Sequence, residues 1–142
     1  MKITNVIFEN KQYVKTISKI HGSDQLSVMD AYRINRLVKK LHELFEEYFT
    51  LKNGIIKKFG TPDKDKQYLI EEKDRKEFNS EWEDLLNIEH DLETEMIAFP
   101  SGIKDGYSAS DLVILEMFFD LSGFEPEEKT EDELESSIEE ST

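Results

Sequence analysis

A helical repeat of apolar residues runs through residues 30–59 and constrains the fold more strongly than any other feature of the sequence. Its apolar positions follow one another at spacings of three and four residues, which is the pattern of a helix with one buried face. These positions are Ile34, Leu37, Leu41, Leu44, Tyr48, Leu51 and Ile55, and the stripe is widened by Val38, Phe45 and Phe59. Ser27 is a suitable N-cap with Asp30 three residues later, and Gly60 is a suitable stop. The pattern predicts one helix of about 30 residues and roughly 45 Å, in which Gly54 is the one weak point.

A second helical pattern covers about residues 73–96 and places its apolar residues on one face. They are Phe78, Trp82, Leu85, Leu92 and Met96. The link over residues 60–67 is rich in turn-forming residues, and residues 68–70 read as a short extended piece. Two long helices joined by so short a link predict a long antiparallel helical hairpin. In that hairpin, bases of the first helix are expected to face acids near the end of the second, namely Arg33, Arg36, Lys39 and Lys40 opposite Glu89, Glu93 and Glu95.

Shorter elements are predicted at both ends of the chain. Residues 3–8 are apolar and β-branched enough for a strand, and Ser108 opens a third helix that stops at Gly123. Residues 125–142 are mostly acids, Ser and Thr, a composition typical of a disordered segment. The predicted fold class is therefore mainly α. It comprises a long antiparallel helical hairpin plus a shorter third helix, with small N-terminal and linker β pieces, in one domain over residues 1–124, followed by a disordered acidic tail.

The net charge of −14 is distributed unevenly along the chain. Residues 1–60 carry eleven bases and six acids, whereas residues 61–124 carry six bases and seventeen acids. Residues 125–142 carry one base and nine acids. Binding to nucleic acid requires clustered Lys and Arg, so the composition argues against direct contact with nucleic acid. The sequence has no run of 18 apolar residues and no signal-like N-terminus, which predicts no membrane contact and a location in the cytoplasm of the cell that makes the protein.

Residues that carry chemistry are few. The chain has no cysteine, and its six glycines are scattered instead of forming a phosphate loop. The histidines lack the Glu-x-x-His spacing that a two-metal helical bundle needs; they are His21, His42 and His90. Asp63, Asp65 and Gln67 imitate the alternating start of a calcium loop. The glycine required in that loop is replaced by Tyr68 and its final glutamate by Asp74, so the sequence predicts no catalytic site, no cofactor and no metal site.

Most aromatic residues at helical spacing are predicted to lie in the core. Phe49 is an exception because it lies off the main stripe of its helix. Phe118 and Phe119 are adjacent, and on a helix two adjacent side chains cannot point the same way, so one of them must reach another element or a partner. With Phe45 added, these residues define the candidate interaction surface: Phe45, Phe49, Phe118 and Phe119.

Several segments follow one another in a recognisable order. They are Ala31-Tyr32-Arg33-Ile34 to Lys58-Phe59-Gly60 in the first helix, Asp63 with Tyr68-Leu69-Ile70 in the link, Phe78-Asn79-Ser80-Glu81 and Leu85-Leu86-Asn87-Ile88-Glu89 in the second helix, and Ser108-Ala109-Ser110-Asp111-Leu112 leading into Leu115-Glu116. In this order, over residues 27–121, the chain resembles a family of small bacteriophage proteins known only as a domain of unknown function. Members of that family are met in phages of Gram-positive bacteria and are often encoded near tail or virion genes. They usually have a more β-branched stretch at the place of residues 88–93. The resemblance implies a phage origin and a virion-associated role.

Two functions from different classes are consistent with these features. The first is a non-enzymatic phage protein that acts by protein–protein interaction, as a virion, tail-associated or assembly component that binds itself or other phage structural proteins. The alternative is an acidic mimic of DNA that inhibits a host nuclease or another DNA-binding defence protein. An enzyme is supported by no constellation of residues. The expected location is the host cytoplasm, with incorporation into the virion if the role is structural.

The acidic tail provides the first testable prediction. Truncation after Phe124 should leave the helical circular dichroism per folded residue and the cooperativity of thermal unfolding unchanged, because residues 125–142 contain too few apolar groups to offset the entropy of ordering them. Loss of either property in the truncated chain would contradict the predicted domain boundary.

Overall fold

The computed structural model of the protein describes residues 1–62, 67–92 and 95–124, and in these residues the fold is mainly helical. In chain order the elements are β1 (Lys2–Thr4), a 3₁₀ helix (Asn5–Glu9), α1 (Lys11–His21), α2 (Val28–Phe59), β2 (Gly60–Pro62), β3 (Tyr68–Ile70), α3 (Glu72–Leu86), β4 (Glu89–Asp91), β5 (Ile97–Ala98), α4 (Ala109–Leu115) and β6 (Phe119–Asp120).

The long helix α2 is confirmed with both of its predicted ends. Ser27 is the N-cap, and its hydroxyl accepts a hydrogen bond of 3.1 Å from the backbone N–H of Asp30. Thirty-two residues give α2 a length of about 48 Å, and the helix continues through Gly54. At Gly60 a Cβ atom would lie 2.6 Å from the carbonyl oxygen of Ile56 and 2.9 Å from Cβ of Tyr68. Only glycine therefore allows the chain to turn directly from α2 into the β2–β3 pair.

The second helix is shorter than predicted. It ends at Leu86, and the residues expected to form its last turns pair instead with the N-terminal strand. In this antiparallel pair Ile3 lies opposite His90. Leu92, predicted on the helix face, is buried in the core beyond the strand, whereas Met96 is largely exposed. The prediction that helix α3 reaches residue 96 was therefore wrong.

Asn5 explains why α3 stops at this point. Its side-chain N–H₂ donates a hydrogen bond of 2.9 Å to the backbone carbonyl of Leu85, and its backbone N–H donates one of 3.2 Å to the carbonyl of Ile88. The Leu85 carbonyl also accepts a backbone hydrogen bond from Ile88 at 3.3 Å, so Asn5 holds the turn that follows the last residues of α3. The amide oxygen of Asn5 lies 2.7 Å from Nε2 of His90, which links the helix end to β4.

The shorter α3 lies along the C-terminal half of α2. Lys52 lies over the ring of Trp82, and the rings of Phe59 and Phe78 meet edge to face at 6.2 Å. As residue numbers rise along α2 they fall along α3, so the two helices run in opposite directions here. The N-terminal half of α2 meets α1 instead, where Nε2 of His21 lies 2.7 Å from Oδ1 of Asn35. The two helices therefore do not lie side by side over the full length of α2, as the hairpin prediction required.

The third predicted helix begins as expected but also ends early. Ser108 and Asp111 form a capping box at the start of α4. The helix ends at Leu115, eight residues before the predicted stop at Gly123, and the chain then turns into β6, which pairs in parallel with β5. A continuing helix would point Phe118 and Phe119 in different directions, whereas the turn allows both to enter the core.

The core joins α1, α2, α4 and the short strands. Its most deeply buried apolar side chains are Ile20, Ile34, Leu41, Tyr48, Ile103, Ile114, Leu115, Phe118 and Phe119. The predicted strand over residues 3–8 is formed only up to Thr4, and the 3₁₀ helix follows it. The predicted acidic tail, residues 125–142, and the calcium-like Asp63 and Asp65 lie outside the described residues.

Two core leucines test this packing. Leu41→Ala and Leu85→Ala should each lower the free energy of unfolding by about 2–5 kcal/mol, because each removes a buried side chain and leaves a cavity. Val28→Ala is the control on α2, since Val28 is 85% exposed and its truncation should cost less than about 1 kcal/mol. Denaturant unfolding measures all three, and equal losses in Leu41→Ala and Val28→Ala would contradict the assignment of the core face.

Candidate interaction surfaces

Two of the four predicted surface aromatics do not lie on a surface. Phe118 and Phe119 are 0% and 1% exposed. The ring of Phe118 lies 6.4 Å from that of Tyr13, and the ring of Phe119 meets Phe99 edge to face at 6.0 Å. Both are core residues, so the structure corrects their assignment to an interaction surface.

The other two aromatics form one stacked pair on α2. Phe49 is 49% exposed, and its ring stacks on that of Phe45 with 5.9 Å between centroids. Phe45 is half-buried and meets the ring of Phe8 in turn at 5.7 Å. Of the four candidates, Phe49 therefore presents the most apolar surface to solvent. Phe45 packs between Phe49 and Phe8.

A groove on the opposite flank of α2 is the larger apolar feature, and we name it the α2–α3 groove. Leu51 and Ile55 form one wall, Leu85 lies at the base, and Ile88 is the other wall. Leu51 and Ile88 are 45% and 42% exposed, and the groove encloses about 570 Å³. A Cβ atom at Gly54 would meet nothing within 4 Å, so the missing side chain keeps the α2 wall low and open. The rim is charged and carries Lys58, Glu81 and Asp84.

The N-terminal half of α2 lines a second depression, which we name the cationic cleft. It encloses about 520 Å³ and is lined by Met29, Tyr32, Arg33, Arg36, Leu37 and Lys40 from α2, and by Leu92 and Ile97 from the segments beyond α3. The guanidinium group of Arg36 lies over the ring of Tyr32, 5.8 Å from its centroid. Arg33 is 3.8 Å from the Asp30 carboxylate, a pair within one turn of the helix. The cleft thus combines three cations with an apolar floor.

The predicted ion pairs of these bases are not formed in the described part of the chain. Glu89 pairs with Lys2 at 3.4 Å, and Glu93 lies outside the described residues. Across residues 1–62, 67–92 and 95–124, no carboxylate lies within ion-pair distance of Arg36 or Lys40. The predicted pairing of the first helix with acids near the end of the second was therefore wrong for these bases.

Asp111 is the most heavily bonded carboxylate among the described residues. It accepts hydrogen bonds from Thr16 Oγ1 at 2.7 Å, Gln12 Nε2 at 2.9 Å and Lys19 Nζ at 2.7 Å. Burial alone would raise its pKa, but the bonds from Lys19, Thr16 and Ser108 outweigh burial and hold the pKa well below its usual range. Since its donors come from α1 and from the start of α4, the buried carboxylate joins those two helices. The side chains that donate to it also enclose it.

A second polar cluster attaches the 3₁₀ helix to α2. The Glu9 carboxylate accepts hydrogen bonds from the hydroxyl of Tyr48 and from Lys52 Nζ, the latter at 2.7 Å. Burial opposes ionisation of Glu9, but Lys52 and Tyr48 together lower its pKa. Burial and the neighbouring carboxylate raise the pKa of Tyr48. The hydroxyl is therefore a permanent donor at neutral pH, and the cluster is structural.

Each of the three histidines has a polar neighbour in its own part of the fold. Nε2 of His21 lies 2.7 Å from Oδ1 of Asn35, and His42 lies 3.1 Å from Glu46 on the exposed side of α2. His90 belongs to the contact with Asn5. Within the described part of the chain, no three His, Asp or Glu side chains are grouped as a metal site would require. In the same residues no helix combines the length and the apolar character needed to cross a membrane.

Comparison with known proteins gives no family for this chain. No protein-family model, no curated protein and no solved structure matches it. The likeness to the phage family therefore stays a prediction, and the surfaces must be interpreted from their own geometry.

The Asp111 cluster provides a prediction with a pH signature. Asp111→Asn should lower the free energy of unfolding at pH 7 by about 1–3 kcal/mol, because charged hydrogen bonds are lost in a buried place. The folded pKa is depressed, so the stabilisation is fully present above the unfolded value near 3.8 and is lost as pH falls toward the folded value. The difference between the native chain and the variant should therefore shrink below pH 4.

Denaturant unfolding between pH 3 and pH 7 measures this difference. Asp105→Asn is the control, because Asp105 is exposed and should change stability little at any pH. A loss for Asp111→Asn that is the same at pH 3 and pH 7 would mean that the ionised carboxylate does not carry the contact.

Proposed function

We propose that this chain is a non-enzymatic bacteriophage protein that acts by protein–protein interaction, as a virion, tail-associated or assembly component. Its partners are further copies of the chain and other phage structural proteins. The α2–α3 groove is the observation that carries the proposal. Large apolar side chains left beside an open depression are typical of a binding surface, because burying them against a partner releases about 25 cal/mol for each Å².

The groove lies where a further helix can pack. It lies between two antiparallel helices, and a third helix placed there would complete a three-helix arrangement with buried apolar ridges. In this proposal α2 and α3 act as a short hairpin that is incomplete in the single chain. A helix that enters would cover Leu51, Ile55 and Ile88 together.

A second copy of the chain is the occupant that the rim favours. Lys58 stands on the α2 side of the groove, while Glu81 and Asp84 stand on the α3 side. In a two-fold arrangement the same patch meets itself, so a surface that carries both signs can pair each charge with its opposite. Within one chain Lys58 Nζ lies 2.7 Å from Glu81 Oε1. In the dimer either side chain can take the opposite charge of the other copy as its partner instead.

Phe49 provides a separate contact surface on the other flank of the same helix. Phe49 and Leu51 are two residues apart, so they point about 200° apart around α2. A protein with apolar surfaces on two flanks can bind a copy of itself with one and another structural protein with the other. Two contact surfaces support a role in an assembly more than a role as an inhibitor that blocks one enzyme.

The polar clusters also favour binding over catalysis. The Asp111 and Glu9 carboxylates accept hydrogen bonds from side chains of their own chain, and each cluster joins two elements of the fold. A catalytic acid or base must reach the proton that it transfers in a bound substrate. These carboxylates instead behave as structural ions.

The DNA-mimic alternative is favoured by one observation, the excess of acids in residues 61–142. Its weak point is the cationic half of α2, since a mimic needs carboxylates at phosphate-like spacing on a rigid surface. The alternatives differ in salt dependence. Burial of apolar area is nearly independent of ionic strength, whereas carboxylates that meet a basic cleft bind more weakly as salt screens them.

Self-association through the groove is the prediction that tests the proposal. The double variant Leu51→Gln and Ile88→Gln should raise the dissociation constant of the self-complex at least about tenfold, because two apolar contacts are lost at the centre of the interface. Val113→Gln is the control, since Val113 is exposed on α4 away from the groove. Sedimentation velocity at 50 and 500 mM salt measures the constants, and the native dissociation constant should not rise with salt, because salt leaves apolar burial nearly unchanged and screens the repulsion between two acidic copies.

A chain that stays monomeric and binds a host DNA-binding protein only at low salt would overturn the proposal in favour of the mimic. Mass spectrometry of purified virions tests the location. Detection of the chain at a fixed copy number supports a structural role, and its complete absence from virions contradicts one.

A further inference from the structure

Gly54 leaves a gap in the α2 wall of the α2–α3 groove, and no contact among the described residues requires a glycine there. It is exposed inside the C-terminal half of α2, and a Cβ atom on it would meet nothing within 4 Å. Glycine is less favourable inside a helix than any residue except proline. The single chain therefore loses helix stability at Gly54 and gains no contact in return.

The gap interrupts a ridge of side chains that follow one another at every fourth position of α2. Thr50 precedes Gly54 by one turn and Lys58 follows it by one turn, and both side chains are exposed. Ridges of this kind pack into the grooves of a neighbouring helix, and the distance between the two axes depends on the side chains at the contact. Along this ridge another helix can therefore approach the α2 backbone most closely at Gly54.

Exposed apolar side chains indicate which helix can enter the groove, because the entering helix must bury apolar area of its own. Among the described residues α3 has no large apolar side chain that is exposed, and α1 and α4 have one valine each. Helix α2 presents Leu51, which is exposed, and Ile55, which is partly buried, on the wall of the groove itself. The α2 helix of a second copy therefore matches the groove in apolar character.

A two-fold axis beside Gly54 would bring the gaps of two copies together. In a two-fold pair a residue near the axis meets the same residue of the other copy. Two side chains at this point would hold the helices apart, whereas two glycines allow the backbones to touch. The apolar residues on either side of the gap, Leu51 and Ile55, would then lie in the groove of the other copy.

Charge favours an antiparallel direction for the two α2 helices. In a parallel two-fold pair every residue faces its own copy, so Lys58 would face Lys58, and like charges at close range repel. In an antiparallel pair centred on Gly54, Lys58 of one copy lies beside the uncharged Thr50 of the other. The hydrogen bond between Lys58 and Glu81 sets α3 beside α2, and Asp84 lies one turn of α3 from Glu81 in the direction of Thr50. The Asp84 carboxylate therefore stands on the side from which Lys58 of the second copy arrives.

We propose that the groove binds α2 of a second copy in the antiparallel direction, with the two-fold axis beside Gly54. Leu51 and Ile55 of each copy lie in the groove of the other. Lys58 of each copy pairs with Asp84 of the other. This arrangement rests on the proposed function, to which it adds the helix that enters, its direction and its register. The complex is a bundle of four helices, α2 and α3 from each copy.

Cysteine cross-linking of the full chain tests the direction and the register. The chain has no cysteine, so each introduced thiol is the only one in its copy. In the proposed pair, position 50 of one copy lies beside position 58 of the other, whereas like positions are about 12 Å apart along α2. A disulfide needs Cα atoms within about 7 Å. An oxidised mixture of Thr50→Cys and Lys58→Cys chains should therefore form the mixed dimer, and either variant alone should form little linked product.

Mass spectrometry of the linked peptides identifies the products. A mixture of Asn53→Cys and Lys58→Cys chains is the control, because Asn53 points about 100° away from Gly54 around α2 and does not line the groove. It should give little linked product. Linkage of Thr50→Cys to itself without the mixed product would mean a parallel pair and would overturn the proposal. A control mixture that links as well as the test mixture would overturn it too.

Gly54→Ala tests the close approach, because it should act in opposite directions on the chain and on the pair. Alanine favours a helix and its Cβ has open space in the single chain, so the denaturant midpoint of the dilute monomer should rise. In the pair two added methyl groups would meet at the axis, so the dissociation constant should rise at least about tenfold. Asn53→Ala is the matched control, since it also favours the helix but should leave the dissociation constant unchanged.

Sedimentation velocity distinguishes the failure of this register from the failure of the proposed function. A native chain that is monomeric at every concentration overturns both. A self-complex that Leu51→Gln with Ile88→Gln weakens, and that Gly54→Ala leaves unchanged, retains the function and overturns the crossing at Gly54. The same conclusion follows if Thr50→Cys and Lys58→Cys chains still associate with each other and give no mixed disulfide.

Discussion

Asn5 fixes where α3 ends, and the surfaces of the molecule depend on that end. The side chain is 2% exposed, and it bonds to the Leu85 carbonyl and to His90 while its backbone N–H bonds to Ile88. A buried amide left without these partners would cost about 1–3 kcal/mol, so the helix end and the β1–β4 pair are held together at one point. Because α3 stops there, it covers the C-terminal half of α2 and no more. The N-terminal half packs on α1 on one side and keeps its cationic flank open on the other.

The two halves of α2 consequently differ in chemistry although they belong to one continuous helix. The N-terminal half has Arg33, Arg36 and Lys40 around a cleft, and the C-terminal half has Leu51, Ile55 and Gly54 beside a groove. Contacts in the first half depend on charge and therefore on salt, whereas contacts in the second half depend on apolar area. From Arg36 to Gly54 the helix rises about 27 Å. Ligands in the two depressions would not touch each other, so each can be occupied without the other.

Local signals in the sequence are sufficient to predict α2 and the start of α4. The caps at Ser27 and Ser108 act within three residues, and the apolar stripe repeats often enough to define one face. The end of α3 was not predictable in this way, because Asn5 acts on Leu85 from 80 residues away in the chain. Phe118 and Phe119 were assigned to a surface because the helix was extended through them, and a turn that directs both inward has no local signature here. The groove was not predicted, because Gly54 was interpreted only as a weak point in the helix. Gly54 leaves a gap in the surface of α2 between Leu51 and Ile55, and this gap becomes part of a groove only because α3 lies beside it.

The net charge limits how copies of the chain can bind one another. Self-association of a chain with a net charge of −14 is opposed by repulsion between copies, so the interface must gain its free energy from apolar burial and not from charge. Added salt screens this repulsion but leaves the free energy of apolar burial nearly unchanged. Contacts made by apolar burial therefore hold or strengthen as salt rises, whereas contacts between carboxylates and a basic cleft weaken.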